Sequence, residues 1–189
     1  MNTKTGIILA AGRGERLDSH DTVKPLVRVG GQTLLDWNIK YMQEININRI
    51  CIVLGHNERI IRNHVLSNDY NNINFEFIHN TNWKEGMLSS LLSINTEIAN
   101  QPVFVSPCDI FFSQSPYSLF MKKDFDFNGI VSLISKKHSD DNKIGASLKI
   151  IELDRNYYLT AESIELYEGV STGIYYFNAG MLSSLIEIA

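Results

Sequence analysis

Two cysteines in 189 residues, Cys51 and Cys108, are too few for a disulfide framework or a cysteine-built metal cluster. Cys51 falls inside an apolar run, where it reads as a small core residue. No apolar stretch approaches the ~20 residues that a membrane-crossing helix needs. Ile7–Ala11 is also far too short for the apolar core of a secretory signal, and glycine and arginine follow it. The cytoplasm is therefore the expected location, with no membrane segment. A formal net charge of −4 lacks the basic excess of a nucleic-acid or anionic-membrane surface, so no nucleic-acid partner is expected. The five histidines (His20, His56, His64, His79 and His138) show no metal-ligand spacing, and no Ser-His-Asp order emerges. There is no G-x-x-x-x-G-K-[ST] string, which excludes a Walker A loop. Repeats, low-complexity tracts and linkers are absent as well.

What remains is an ordinary globular composition, 44% apolar and 20% charged, long enough for one domain with a substantial core. A single domain over residues 1–189 is expected. The chain stops inside its last expected helix, as a domain trimmed at its C-terminus would. Positive charge is local: Arg13, Arg16, Lys24 and Arg28 lie close together, interleaved with Glu15, Asp18 and Asp21, as in a site rather than a basic tail.

That cluster belongs to Gly6–Leu26, GIILAAGRGERLDSHDTVKPL, around which the rest is organised. Ile7, Ile8 and Leu9 read as a buried strand leading into Ala10, Ala11 and Gly12-Arg13-Gly14. Small residues after a strand let backbone N–H groups approach phosphate oxygens, and the basic side chains of Arg13, Arg16 and Lys24 close over them. Leu17 stands where a dinucleotide fingerprint needs a third small residue, so a nicotinamide-binding turn fits poorly.

Downstream, the pattern alternates. Lys24–Gly31 reads as an extended piece ending in a Gly-Gly turn, and Gln32–Ile45 has helical periodicity. Arg49–Leu54 is a continuous apolar strand, Glu58–Leu66 a helix, Phe75–His79 a strand, Leu88–Ala99 a helix and Val103–Ser106 a strand. This β-loop-α-β-α-β-α-β order argues a doubly wound α/β sheet with helices on both faces, a three-layer α/β/α arrangement, and ligands at the strand C-terminal ends. Beyond residue 110 the pattern loosens. A short helix over 115–121, a strand over Gly129–Ile134, a hairpin from Ser147–Leu153 and Asn156–Leu159, a strand over Gly173–Phe177 and a helix over Ala179–Ile188 are expected.

Asp109 follows a buried strand and faces the same crevice as the cradle. It reads either as a Mg²⁺ ligand, since Mg²⁺ takes one or two carboxylates plus phosphate oxygens and water, or as a capping aspartate. Gly86 permits close backbone approach, and Ser89 offers a hydroxyl near a helix start; a plain capped helix N-terminus is the alternative. Asn80 is a candidate for the same pocket, and Trp83 reads equally well as a packing residue. Asp140, Asp141 and Lys143 read as a solvated turn.

With these residues in place, the chain resembles nucleotidyltransferases of the sugar-nucleotide and cytidylyltransferase superfamily. Leu9-Ala10-Ala11-Gly12-Arg13-Gly14-Glu15-Arg16, then Lys24-Pro25-Leu26, is similar to that family's L-A-A-G-x-G-x-R…K-P-L signature. Gly30-Gly31, Val53-Leu54-Gly55-His56, Asn80-x-x-Trp83-x-x-Gly86 and Ser106-Pro107-Cys108-Asp109 also match. The string looks most like the small cytidylyltransferases acting on inositol-1-phosphate or phosphocholine, and Gly86-Met87-x-Ser89-Ser90-Leu91 resembles the molybdenum-cofactor cytidylyltransferases. The resemblance implies a Rossmann-like, mostly parallel mixed sheet of the nucleotide-diphospho-sugar transferase type. It also implies Mg²⁺ and an NTP, with CTP favoured, joined to a small phosphorylated substrate. Arg16, Lys24 and Asp109 would be catalytic, with Asp109 the metal ligand. Leu9, Ala10, Ala11, Gly12, Arg13, Gly14, Asn80, Gly86 and Ser89 would bind the nucleotide, and Lys143 is a weaker candidate. One departure stands out: related enzymes often carry an acidic residue just before a Thr-Gly pair, and here that position is Ser171. It keeps a non-catalytic nucleotide-binding regulator as the alternative.

Overall fold

The computed structural model describes residues 5–14, 22–117, 130–136, 147–153, 156–161 and 169–188. Arg16, the charged loop with Asp140, Asp141 and Lys143, and most of the short helix expected over 115–121 lie outside the described residues. The chain divides into two compact units, residues 1–131 with 175–189, and residues 132–174.

The first unit is built on β1 (Thr5–Ala10), every residue of which is buried. β1 pairs in parallel with β4 (Arg49–Leu54) on one side and β6 (Val103–Pro107) on the other. β4 pairs in parallel with β5 (Asn74–His79). The last residues of β10 (Gly169–Phe177) add an antiparallel edge, Tyr175–Phe177 against Val103–Val105. A strand buried on both faces cannot alternate apolar and polar residues, which is why RICIVL reads as an unbroken apolar run.

The two faces are covered by different helices. Ile7, Leu9 and Ala11 pack with Cys51, Val53, Ile94, Ile98, Ala99 and Leu182 in one cluster. On the other face a Cβ at Gly6 would lie 2.4 Å from Met42 Sδ, so α1 (Leu34–Glu44) presses directly on β1. α2 (Glu58–Ser67) lies beside α1, joined to it by His64 Nε2 and Asp36 Oδ1 at 2.8 Å. The crossovers β1-α1-β4 and β4-α2-β5 step one way across the sheet. The return through α3 (Met87–Leu92) and α4 (Thr96–Ala99) places β6 on the opposite side of β1. The strand order therefore reverses between β1 and β6, the topological switch point at which open α/β sheets bind ligands. The doubly wound, three-layer expectation holds.

Local departures have local causes. Gln32–Thr33 is not helical; it is β3, paired with β2 (Arg28–Val29) across the Gly30-Gly31 turn. Thr33 then caps α1 in a capping box, its Oγ1 accepting from Asp36 N–H at 3.0 Å while Asp36 Oδ2 accepts from Thr33 N–H at 3.0 Å. The single helix expected over Leu88–Ala99 is two, because Asn95 takes an extended conformation and accepts from Ile98 N–H at 2.9 Å, starting α4 afresh. α5 (Met181–Ile188) closes the unit, tied to α4's end by Ser183 Oγ donating to Asn100 Oδ1 at 2.7 Å.

In the second unit β8 (Ser147–Leu153) and β9 (Asn156–Ala161) form an antiparallel hairpin in register from Leu148–Ala161 to Leu153–Asn156. β10 pairs with β8 through Gly169 and Val170. Thr172 Oγ1 donates to the carbonyl of Leu133, on β7 (Ile130–Lys136), at 2.9 Å. Ser171, the departure noted above, lies on β10 within this unit.

Candidate active site

The C-terminal ends of β5, β4, β1 and β6 stand side by side, and the sequence candidates in the first unit follow them. The loop after β1 is held from both sides. Leu9 carbonyl accepts from Cys108 N–H at 3.1 Å, on the β6 side, and Ala11 carbonyl accepts from His56 N–H at 2.9 Å, on the β4 side. Leu9, Ala10 and Ala11 are buried and Gly12 and Arg13 exposed, so the chain passes from core to surface within two residues.

The glycines of this loop differ in what they serve. Gly14 has φ +73°, a left-handed conformation, and a Cβ there would lie 3.0 Å from Lys24 Cβ and 3.1 Å from Lys24 Cδ. Gly14 therefore lets the aliphatic stem of Lys24 lie against the loop. A Cβ at Gly12 would meet no atom of the described residues within 4 Å.

Lys24 begins a 3-10 turn, Lys24–Leu26, with buried Pro25 fixing its φ. Its Nζ forms an ion pair with Asp109 Oδ2, the two side chains being 23% and 27% exposed. The two charged residues picked out independently in the sequence thus meet, at the switch point and within reach of solvent.

The turn carrying Asp109 is anchored by residues that the motif reading did not single out. Asn38 of α1 is 1% exposed. Its Nδ2 donates to the carbonyls of Leu34 (2.8 Å), Ile110 (3.0 Å) and, more weakly, Cys108 (3.4 Å). Its Oδ1 accepts from Ser106 Oγ at 3.0 Å. One turn on, Tyr41 hydroxyl donates to Phe112 carbonyl and accepts from Phe112 N–H at 3.2 Å. The signal was available: Asn38 sits on the apolar stripe of α1 with Leu34, Leu35, Ile39 and Met42, where a polar residue must find partners. Cys108, beside Asp109, is no nucleophile: burial first, then the Asp109 charge, pushes its thiol up to about 12.

At the β5 end the polar candidates bond to one another. Asn80 is buried, its Nδ2 donating to Ser89 Oγ (3.0 Å) and Ser90 Oγ (3.1 Å) and its Oδ1 accepting from Asn82 N–H (2.8 Å). Ser89 Oγ in turn lies 2.9 Å from Asn82 carbonyl and 2.8 Å from Gly86 carbonyl, sharing its proton between them. Gly86 has φ +96° and ψ −167°, a glycine backbone, with no atom of the described residues within 4 Å of a Cβ position. Trp83 is a packing residue: a Cβ on Gly55 would lie 2.5 Å from Trp83 Cβ and 2.9 Å from Ala11 carbonyl oxygen, and the indole meets the His56 ring at 5.1 Å.

Among the described residues no group of three or more His, Cys, Asp or Glu could hold a metal ion, and no helix is long and apolar enough to cross a membrane. A solvent-reaching carboxylate such as that of Asp109 still suits Mg²⁺, which takes few protein ligands and keeps water and phosphate oxygens.

The same fold recurs among solved structures. The inositol-1-phosphate CTP transferase from T. maritima superposes with a TM-score of 0.77 at 20% identity, covering 97% of this chain and 72% of that one. The CTP:phosphocholine cytidylyltransferase from Streptococcus pneumoniae gives 0.69 at 19%, covering 98% and 75%. A UDP-glucose pyrophosphorylase complexed with UDP-glucose gives 0.73 at 17%, covering 98% and 78%. At these identities the likeness concerns the fold. No curated protein matches the chain significantly. The family assignment comes from the sequence itself, since residues 6–130 match the MobA-like NTP transferase domain. That match spans the cradle, Lys24, Asn80, Gly86 and Asp109, and leaves the nicotinamide alternative without support. This chain belongs to the MobA-like NTP transferase domain family and is a nucleotidyltransferase.

Proposed function

We propose that this protein is a Mg²⁺-dependent cytidylyltransferase that joins CTP to a small phosphorylated alcohol, sugar phosphate or phosphonate and releases pyrophosphate. The observation that carries the reading is the meeting of Lys24 and Asp109 beside the Gly12–Gly14 loop, at the switch point of the sheet. CTP is favoured by the sequence resemblance to the small cytidylyltransferases.

In this reaction an oxygen of the substrate phosphate attacks the α-phosphorus of the NTP. The bond from that phosphorus to the α–β bridging oxygen breaks, and its electron pair leaves with pyrophosphate. A phosphate monoester has its second pKa near ~6 and is largely ionised at neutral pH, so no strong general base is required. The protein must hold two anions in line and neutralise the charge between them. Gly12 and Gly14 would present backbone N–H groups to the β- and γ-phosphates, with Arg13 and Arg16 screening the departing pyrophosphate. Lys24 would contact the α-phosphate or the incoming phosphate. Asp109 would hold Mg²⁺, which when bound supplies Lewis-acid neutralisation of phosphate oxygens. Backbone at Leu9, Ala10, Ala11 and Gly86, with the frame set by Asn80 and Ser89, would receive the base.

The test is a thermal-shift comparison of the four NTPs with Mg²⁺, since a bound ligand raises apparent stability. It is followed by pyrophosphate release with phosphorylated alcohols, sugar-1-phosphates and phosphonates. Stabilisation by CTP above UTP, GTP and dTTP, then turnover with one acceptor class, is the expected result. Preference for another NTP would overturn the cytidylyl assignment. Tight binding without turnover across the panel would favour the regulator reading that Ser171 keeps open.

A further inference from the structure

Helix α1 contributes no side chain to the Lys24–Asp109 pair, yet it holds the backbone on both sides of it. On the Lys24 side, Leu34 N–H, the first of the helix, donates to Val27 carbonyl at 2.9 Å, directly after the Lys24–Leu26 turn. On the Asp109 side, Asn38 Nδ2 reaches the carbonyls of the residues immediately before and after the aspartate, Cys108 and Ile110. The Cys108 carbonyl lies in the peptide that enters Asp109 and the Ile110 carbonyl in the peptide one residue beyond it, so the two bonds clamp the turn on either side of the aspartate and restrict the direction in which its Cα–Cβ bond leaves the chain.

A buried amide on the apolar face of a helix costs desolvation that leucine at the same position would not. Asn38 offsets that cost only through these bonds, which serve the 106–110 turn and not the helix alone. We propose that Asn38 is a positioning residue for the Asp109 carboxylate, acting through the Cys108 and Ile110 carbonyls. The inference rests on the reading of Asp109 as the metal ligand. Residues that orient a ligand without touching the metal commonly control its affinity, at about 10- to 100-fold.

The experiment titrates Mn²⁺ alone into the full chain, reading free Mn²⁺ by electron paramagnetic resonance, for the parent and for Asn38→Leu, Asp109→Asn and Asp36→Asn. Asp36 sits on the same helix but bonds toward α2, so its variant lowers the melting temperature without touching the 106–112 segment. We expect Asp109→Asn to lose measurable binding, Asn38→Leu to weaken it about tenfold while unfolding cooperatively, and Asp36→Asn to bind as the parent does. If Asn38→Leu does not fold, Asn38→Asp is measured instead, since it keeps the acceptor for Ser106 and loses the three bonds that Nδ2 donates. Parental affinity in the Asn38 variant, with binding lost in Asp109→Asn, would overturn the inference and leave the metal-ligand reading standing. Equal weakening by the Asn38 and Asp36 variants would also overturn it, as a plain loss of stability. Parental affinity in Asp109→Asn would instead overturn the metal-ligand reading, and this inference with it.

Discussion

At the Lys24–Asp109 end of the site two charged side chains reach solvent and pair with each other. At the Asn80–Ser89 end, by contrast, the polar side chains are buried and bonded within the protein. On the proposed reading the first end exchanges its ion pair for phosphate and metal, because both side chains reach solvent. The second cannot donate to a ligand without breaking an internal bond, so its contribution is to shape a loop and present backbone. On the proposed reading the charged pair thus carries chemistry at one end and the buried amide and hydroxyls scaffolding at the other.

Substitutions at the charged end should have the largest effect. Lys24→Ala removes the cation proposed to neutralise transferring phosphate and Asp109→Ala the carboxylate proposed to hold Mg²⁺, and losses of about 10²- to 10³-fold in kcat are expected. Melting temperatures should change little, because a partly exposed ion pair adds at most about 1 kcal/mol. Pyrophosphate release under saturating substrates measures the first and calorimetry the second. Full activity in either variant would break the contrast between the two ends.

Gly12→Ala should come next, and it separates binding from folding more cleanly. No atom of the described residues lies within 4 Å of the added methyl, and Gly12 does not take the left-handed conformation, so stability should hold within about 0.5 kcal/mol. NTP affinity should fall at least about tenfold, a difference of ~1.4 kcal/mol, if backbone here lies against phosphate. Unchanged affinity in isothermal titration would move the phosphate site elsewhere.

The scaffolding end should respond in the opposite way. Asn80→Ala strands Asn82 N–H and removes the donor to two serine hydroxyls, and Gly55→Ala drives a methyl to within 2.5 Å of Trp83. Each should cost about 1–3 kcal/mol in denaturant unfolding. Any loss of kcat should be smaller than at Lys24, with the main change in KM for the NTP. A large fall in kcat in stable Asn80→Ala protein would put Asn80 among the residues that touch substrate.

This division also explains what was legible in the sequence. The central strands could be read because burial on both faces leaves unbroken apolar runs, and Arg49–Leu54 is found with the expected bounds. Lys24 and Asp109 could be singled out because charges in loops at the C-terminal ends of buried strands gather in one crevice, and the structure pairs them. Nothing in a linear string, however, tells whether Asn80 faces a ligand or Ser89, since both uses ask for the same amide. Asn38 was overlooked for a related reason: its partners, Cys108 and Ile110, are distant in sequence and contribute only carbonyls, which carry no residue signature. The break between α3 and α4 was visible in Asn95-Thr96-Glu97, a capping string that helical periodicity over Leu88–Ala99 obscured.

The smallest effect should come from Asp36, which serves neither end. Burial alone would raise its pKa, but hydrogen bonds from Tyr70 (2.6 Å), His64 and Thr33 together outweigh burial and hold the carboxyl below its ordinary value. A carboxylate with a lowered pKa stabilises the fold fully above the ordinary value of about 3.9 and loses that contribution as pH falls through the folded-state value. Asp36→Asn should therefore cost on the order of 1 kcal/mol at neutral pH, and its melting curve should converge on the parent's in acid below about pH 3.9. If the gap instead persisted undiminished into acid, neutral hydrogen bonding would account for the α1–α2 junction. Activity at pH 7 should be unaffected throughout, because the carboxylate bonds to α2 and Tyr70, on the side of α1 away from the Asn38 and Tyr41 contacts.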